Sequence, residues 1–207
     1  MTGKIDFKRE KKELYKPSSK EVVIINVPEM QFLMIDGKGS PGDSKEYQGA
    51  LAALYPVAFK AKFISKKQGK DYVVPPLEGL WWAEDMTDFR EGNRDEWQWT
   101  MMIMQPEWIT EKTIGEAIEI TMEKKPDLAE LLPKLRFERF NEGNAAQIMH
   151  IGPYSDEAPT IDKLHAFIKE NGGNFDGHEQ KHHEIYLSDP RRAKPERMKT
   201  VIRQPFY

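Results

Sequence analysis

Glu96-Trp97-Gln98-Trp99-Thr100-Met101-Met102-Ile103-Met104-Gln105 is the stretch on which the fold turns. Its period of two puts Trp97, Trp99 and Met101 on one face of a strand and Gln98, Thr100 and Met102 on the other. A second strand, Gly79 to Glu84 (GLWWAE), precedes it across a polar turn expected over Asp88 to Asp95. Upstream, Met30 to Asp36 (MQFLMID) is a strand that ends in the glycine-bearing turn Gly37 to Gly42. Ser44 then caps a helix with Tyr47, Leu51, Leu54 and Ala58 on one stripe, and Pro56 is expected to kink it.

The same order returns downstream. Ala145 to Ile151 is a strand, Gly152-Pro153-Tyr154 a turn, and Ser155 the expected cap of a helix carrying Ile161, Leu164, Phe167 and Ile168. Strands at His182 to Ser188 and Thr200 to Gln204 follow. The pattern predicts an α+β fold built of two strand–helix–strand–strand repeats with pseudo-twofold symmetry and a ligand cleft between them. A single domain over 1–207 is expected, with repeat one at about 28–105, linker helices at 106–134 and repeat two at about 135–206. Thr110 caps the first linker helix. Residues 1–21 read as a charged N-terminal arm.

Composition narrows the function. The absence of cysteine removes disulfides, thiolate nucleophiles and cysteine-ligated metal centres. A net charge of −3 gives no basic face for nucleic acid, so no direct nucleic-acid binding is expected. The longest apolar run, Ala50 to Phe59, is about half a membrane span. The first twenty residues lack an apolar signal core, and a cytoplasmic location is expected. All five tryptophans, Trp81, Trp82, Trp97, Trp99 and Trp108, fall in one window, which is either a local aromatic core or a cage of indole faces.

Three motifs invite chemistry. Gly37-Lys38-Gly39-Ser40-Pro41-Gly42 fits the dinucleotide-binding glycine pattern, but no acidic strand end follows at the required distance, and a turn explains it better. His178, His182, His183 and Glu184 invite a metal, yet on a strand His183 points away from His182 and Glu184, so no metal is expected, nor any cofactor. Glu184 is the sharper candidate. A carboxylate walled by rings can pair with a flat cation, or, desolvated, take a proton from water as general base. The residues leave both uses open. Aligning 80–85 with 184–189 sets Trp82 beside Tyr186, bringing aromatics of both repeats towards one cleft.

His150-Ile151-Gly152-Pro153-Tyr154 and His183-Glu184-Ile185-Tyr186-Leu187-Ser188-Asp189-Pro190 resemble the second half of the GyrI-like small-molecule-binding domains. Ile35 to Pro41 and Ala50 to Tyr55 resemble the first half of that family's stand-alone branch. The resemblance covers about residues 22–206. It implies a ligand cleft between two repeats, as in the effector-binding domains of multidrug-sensing regulators and the DNA gyrase inhibitor protein, with Glu184 at the position that meets cationic drugs. The tryptophan-rich stretch makes the chain similar to a subfamily understood to hydrolyse cyclopropane-bearing DNA alkylators in an aromatic cage. On that footing Glu184 is expected to be catalytic, and Tyr55, Trp82, Trp99, Tyr154 and Tyr186 to hold a small aromatic xenobiotic. Non-catalytic sequestration, or a gyrase-inhibitor-like or effector-binding role, is the alternative. No helix-turn-helix pattern precedes residue 22, which speaks against direct transcriptional control.

Overall fold

The computed structural model describes residues 3–42, 44–86 and 92–207; residues 88–91 of the expected turn lie outside them. Eight strands are formed: β1 (Val23–Val27), β2 (Met30–Lys38), β3 (Leu77–Ala83), β4 (Trp97–Gln105), β5 (Arg136–Phe140), β6 (Gly143–Ile151), β7 (His182–Tyr186) and β8 (Lys199–Pro205). They make one sheet in the order β1-β6-β8-β7-β3-β4-β2-β5. Every pairing between these strands is antiparallel. Three pairings cross the chain's midpoint: β1 adds to β6, β5 adds to β2, and β3 joins β7.

Both faces of this sheet are covered, which is why β4 is apolar almost throughout rather than alternating. Trp99, Met101 and Ile103 join Leu33, Ile35, Leu77 and Trp81 on the front face. Met102 and Met104 join Phe32, Met34 and Leu80 on the back. Helices α3 (Lys45–Lys67) and α5 (Ala158–Glu170) lie on the front, α3 over β2 and β4 and α5 over β6 and β8. That arrangement leaves the central pair β3–β7 between the two helices. Helix α4 (Glu111–Lys124) packs against α3.

Local chemistry sets the helix ends. The Ser44 hydroxyl accepts from the Tyr47 amide at 3.2 Å, and Thr110 accepts from Thr113 at 3.3 Å. Helix α3 runs through Pro56 to Lys67 without a break. Ser155 is not the cap of α5. It lies in the 3-10 turn Tyr154–Asp156, donates its hydroxyl to Asp156 at 2.9 Å, and leaves Glu157 in the cap position. Pro159, at home in a helix's first turn, fixes the later start.

The arm is also more than a charged tether. Its short helices α1 (Phe7–Glu10) and α2 (Lys12–Tyr15) close the back face, and Leu14 and Tyr15 are buried there. The Tyr15 hydroxyl donates to Glu78, and Arg203 and Gln147 donate to the Leu14 and Glu13 carbonyls, so hydrogen bonds fasten what the two apolar side chains bury.

The glycine pattern at 37–42 has a packing explanation. Gly37 is still within β2, and a Cβ built on it would stand 2.1 Å from Cη2 of Trp99. Gly39 and Gly42 take left-handed φ of 100° and 92° in the turn beyond. Helix α3 leads to β3, which runs parallel to β2 but is separated from it by the antiparallel β4, so the adjacent parallel strands of a dinucleotide-binding crossover are not formed. Gly37→Ala is expected to cost about 1–3 kcal/mol through overpacking against the indole. An unchanged urea midpoint would refute that cause.

Candidate functional site

Strand β7 places Glu184 on the front face, in the strip between α3 and α5. The register sets Gly79 opposite Glu184, Leu77 opposite Tyr186 and Trp81 opposite His182. Gly79 is required here: a Cβ would fall 2.6 Å from Met101 Cε, 2.8 Å from Trp81 Nε1 and 3.2 Å from the Tyr186 hydroxyl. The missing side chain lets the Trp81 indole fold over the strand and donate Nε1–H to the Tyr186 oxygen at 2.9 Å. Glu184 hydrogen-bonds His182 Nε2 at 3.1 Å, and its side chain is only 15% exposed.

Rings surround this carboxylate. Tyr154 meets Tyr186 edge-on with centroids 5.7 Å apart. Tyr47 stacks against Trp81 at 6.3 Å and meets Trp99 edge-on at 5.6 Å. Trp97 meets Trp81 edge-on at 6.0 Å. His150 holds the turn that carries Tyr154, with Nδ1 3.0 Å from the Thr160 hydroxyl and Nε2 3.3 Å from the Pro153 carbonyl. Burial pushes the hydroxyls of Tyr47, Tyr154 and Tyr186 upward, and the negative charge of Glu184 adds to the rise in all three. These phenols stay neutral and can serve as hydrogen-bond donors.

The expected residues separate in space. Glu184, Tyr186 and Tyr154 come together. Tyr55, on α3, is 37% exposed; burial raises its hydroxyl, and Asp189 beyond β7 raises it further. Trp99 shares the front face but is fully buried two strands from β7, donating to the Gly39 carbonyl at 3.2 Å. Trp82 is a correction. It projects from the back face, where Lys181 Nζ lies 3.8 Å from its ring centroid. The alignment that set it beside Tyr186 was off by one residue, and in a strand one residue exchanges the faces. Trp81 takes the place expected of Trp82.

Sequence reasoning also missed Tyr47 and Glu157 as site residues. Tyr47 opens the apolar stripe of α3 and reads there as core. Glu157 is 5% exposed, and neither its Oε1 nor the Thr200 hydroxyl finds a hydrogen-bond partner among the described residues. Burial, then the charge of Glu184, holds its carboxyl well above the usual carboxylate range.

His183 points to the back face, between Glu78 at 3.0 Å and Glu142 at 2.8 Å. Among the described residues no group of three such side chains is arranged to hold a metal ion. Two surface recesses, of about 360 and 560 Å³, lie away from Glu184. The first is lined by Glu142, His178 and Lys181, the second by Lys8, Tyr15 and Lys199.

A single antiparallel sheet with two helices on one face thus sets Glu184 beside tyrosine and tryptophan rings. The chain belongs to the GyrI-like small molecule binding domain family, whose model matches residues 20–206. Among solved structures it is similar to an uncharacterized conserved protein from Listeria innocua, with 44% identity and a TM-score of 0.90 over 99% of this chain and 100% of that one. It is also similar to a hydrolase from Listeria innocua, with 42% identity and a TM-score of 0.84 over the same shares. The C-terminal domain of EcmrR shares the fold at 11% identity and a TM-score of 0.55, over 90% of this chain and 97% of that domain. No match was found among curated proteins. No helix among the described residues is long and apolar enough to cross a membrane.

Proposed function

We propose that this protein binds flat apolar or cationic aromatic xenobiotics between α3 and α5 and hydrolyses those that carry an electrophilic, cyclopropane-bearing centre, a protective activity in the cytoplasm. The observation that carries the reading is a carboxylate, Glu184, held nearly dry among Trp81, Tyr186 and Tyr154. The reading takes the β3–β7 seam as the axis of a pseudo-twofold. In this reading β2-α3-β3-β4 corresponds to β6-α5-β7-β8, and the strip between the helices serves as the cleft. The hydrolase among the similar structures supports a catalytic use of it.

In this reading a planar ligand displaces water from the rings of Trp81, Tyr186, Tyr154 and Tyr47, with Tyr55 at the rim. Each ring adds about 0.5–2 kcal/mol towards a cation. For an electrophile, Glu184 accepts the proton of an attacking water while His182 orients the carboxylate from beside it. Trp99 supports Tyr47 from below rather than meeting the ligand. No step calls for a metal or cofactor. Sequestration without chemistry is the second reading, favoured by the family's description as a binding domain.

A planar aromatic dienone fused to a cyclopropane tests both. Quenching of tryptophan fluorescence reports binding, and a ring-opened alcohol carrying oxygen from labelled water reports hydrolysis. Quenching without product above the buffer rate would leave sequestration; neither signal would end both readings.

A further inference from the structure

Glu157 has no part in the steps above, yet it is buried at the edge of the same space with its Oε1 unpartnered among the described residues. It occupies the cap position of α5 but makes no side-chain capping bond. Three residues earlier Tyr154 packs its ring on Tyr186, and Thr200, also buried and unpartnered, lies directly across β8 from Tyr186. A buried acid and a buried hydroxyl, close enough to interact with one another, thus meet beside the ring of Tyr186, and Oε1 of the acid still lacks a hydrogen-bond partner among the described residues. Buried polar atoms are ordinarily satisfied, and a missing partner of this kind points to a ligand or water.

We propose that Glu157 is the site's proton donor: its carboxylic acid hydrogen-bonds a carbonyl or similar acceptor on the flat ligand, opposite the base Glu184. The titratable groups facing it are Glu184 and Tyr186 from β7 and Tyr154 from its own turn. Burial and the Glu184 charge keep the proton on Glu157, and Thr200 opposes them. Two carboxyl groups of one site thereby hold opposite protonation states, which sorts acid from base.

The inference rests on the aromatic site, and it narrows the substrate to neutral, flat aromatics whose electrophilic carbon is conjugated to a carbonyl. In the chemical step the water oxygen bonds that carbon and the strained carbon–carbon bond breaks. Its electron pair moves to the conjugated oxygen, which takes the Glu157 proton while Glu184 takes the proton of water. Exchange through solvent then returns the proton from Glu184 to Glu157.

Phenanthridinone, a flat neutral lactam, and phenanthrene, a similar frame without a carbonyl, test the donor by tryptophan quenching. Wild type is expected to prefer the lactam by about tenfold near pH 7, the worth of one buried hydrogen bond, and to lose that preference by about pH 10. Glu157→Gln, which keeps an N–H donor, should retain the preference at both values, and Glu157→Ala should lack it at both. A preference that is unchanged in wild type between the two pH values, or that survives Glu157→Ala, overturns the proposal. Quenching by neither compound overturns the aromatic site and the donor with it. A normal preference in a protein without turnover upholds the donor and sinks only the hydrolase reading.

Discussion

Glu184→Gln is expected to lower turnover of a cyclopropane-fused dienone by about 10²–10⁴-fold, the usual worth of a general base. Affinity for a neutral flat ligand should stay within a few-fold. The amide has the shape of the carboxylate and can still meet His182, so the rings around it keep their places. It cannot accept the proton of water at neutral pH. Affinity for a flat monocation should fall, because the one partner with full negative charge is gone. Loss of cation affinity with turnover untouched would make Glu184 a binding group only, and the water would need another base. The measurement is kcat beside quenching titrations of a neutral and a cationic ligand.

His183→Ala should cost about 3–5 kcal/mol, the price of breaking one partner out of a buried ion cluster. His183 is 1% exposed and lies between Glu78 and Glu142. Arg203 donates to Glu142 at 2.9 Å and to the Leu14 carbonyl at 2.9 Å, and the Tyr15 hydroxyl donates to Glu78 at 3.2 Å. Removing the imidazole strands two carboxylates in the back-face core and loosens the arm they fasten. A melting point lower by on the order of 10 °C follows for a chain of this size. A loss below about 1 kcal/mol in urea unfolding would contradict the argument.

The same cluster sets a pH window. Burial works against the charged imidazole, but Glu142 and Glu78 outweigh it and raise His183 from 6.5 to about 9. A raised histidine stabilises fully below 6.5, and that contribution fades as the pH climbs to about 9. Glu142 runs the other way. Burial opposes its charge, yet His183 and Arg203 bring it from 4.5 down to about 2, so its contribution holds above 4.5 and fades as the pH falls to about 2. The raised carboxyl of Glu157 adds to the alkaline loss, since the folded state again holds the extra proton. The alkaline slope that persists in His183→Ala and disappears in Glu157→Gln belongs to Glu157.

Much of the architecture was legible because it rests on local periodicity. The period-two facing of 96–105, the caps Ser44 and Thr110, and the strand at 30–36 each act within a few residues. The family was legible too, from the stretches around His150 and Glu184. What failed depended on distant partners. Whether Trp81 or Trp82 faces Glu184 is a matter of β3–β7 register, which adjacent tryptophans cannot reveal. Ser155 is a good cap by type, and only the chain's path through Tyr154–Asp156 hands the position to Glu157. Glu157 itself has no local mark of burial, because a glutamate before a helix ordinarily faces water. Leu14 and Tyr15 were hidden among lysines for the same reason: their burial is decided by Glu78 and Arg203, far along the chain.

The exchange of outer strands has a consequence for the nascent chain. Val23 pairs with Gln147, and Met30 with Phe140, so both rims of the sheet await residues made more than a hundred positions later. Closure over such separations is slow. The ribosome therefore releases a first half whose outermost strands lack their mates, exposed to chaperones or to a neighbouring copy until β5 and β6 arrive.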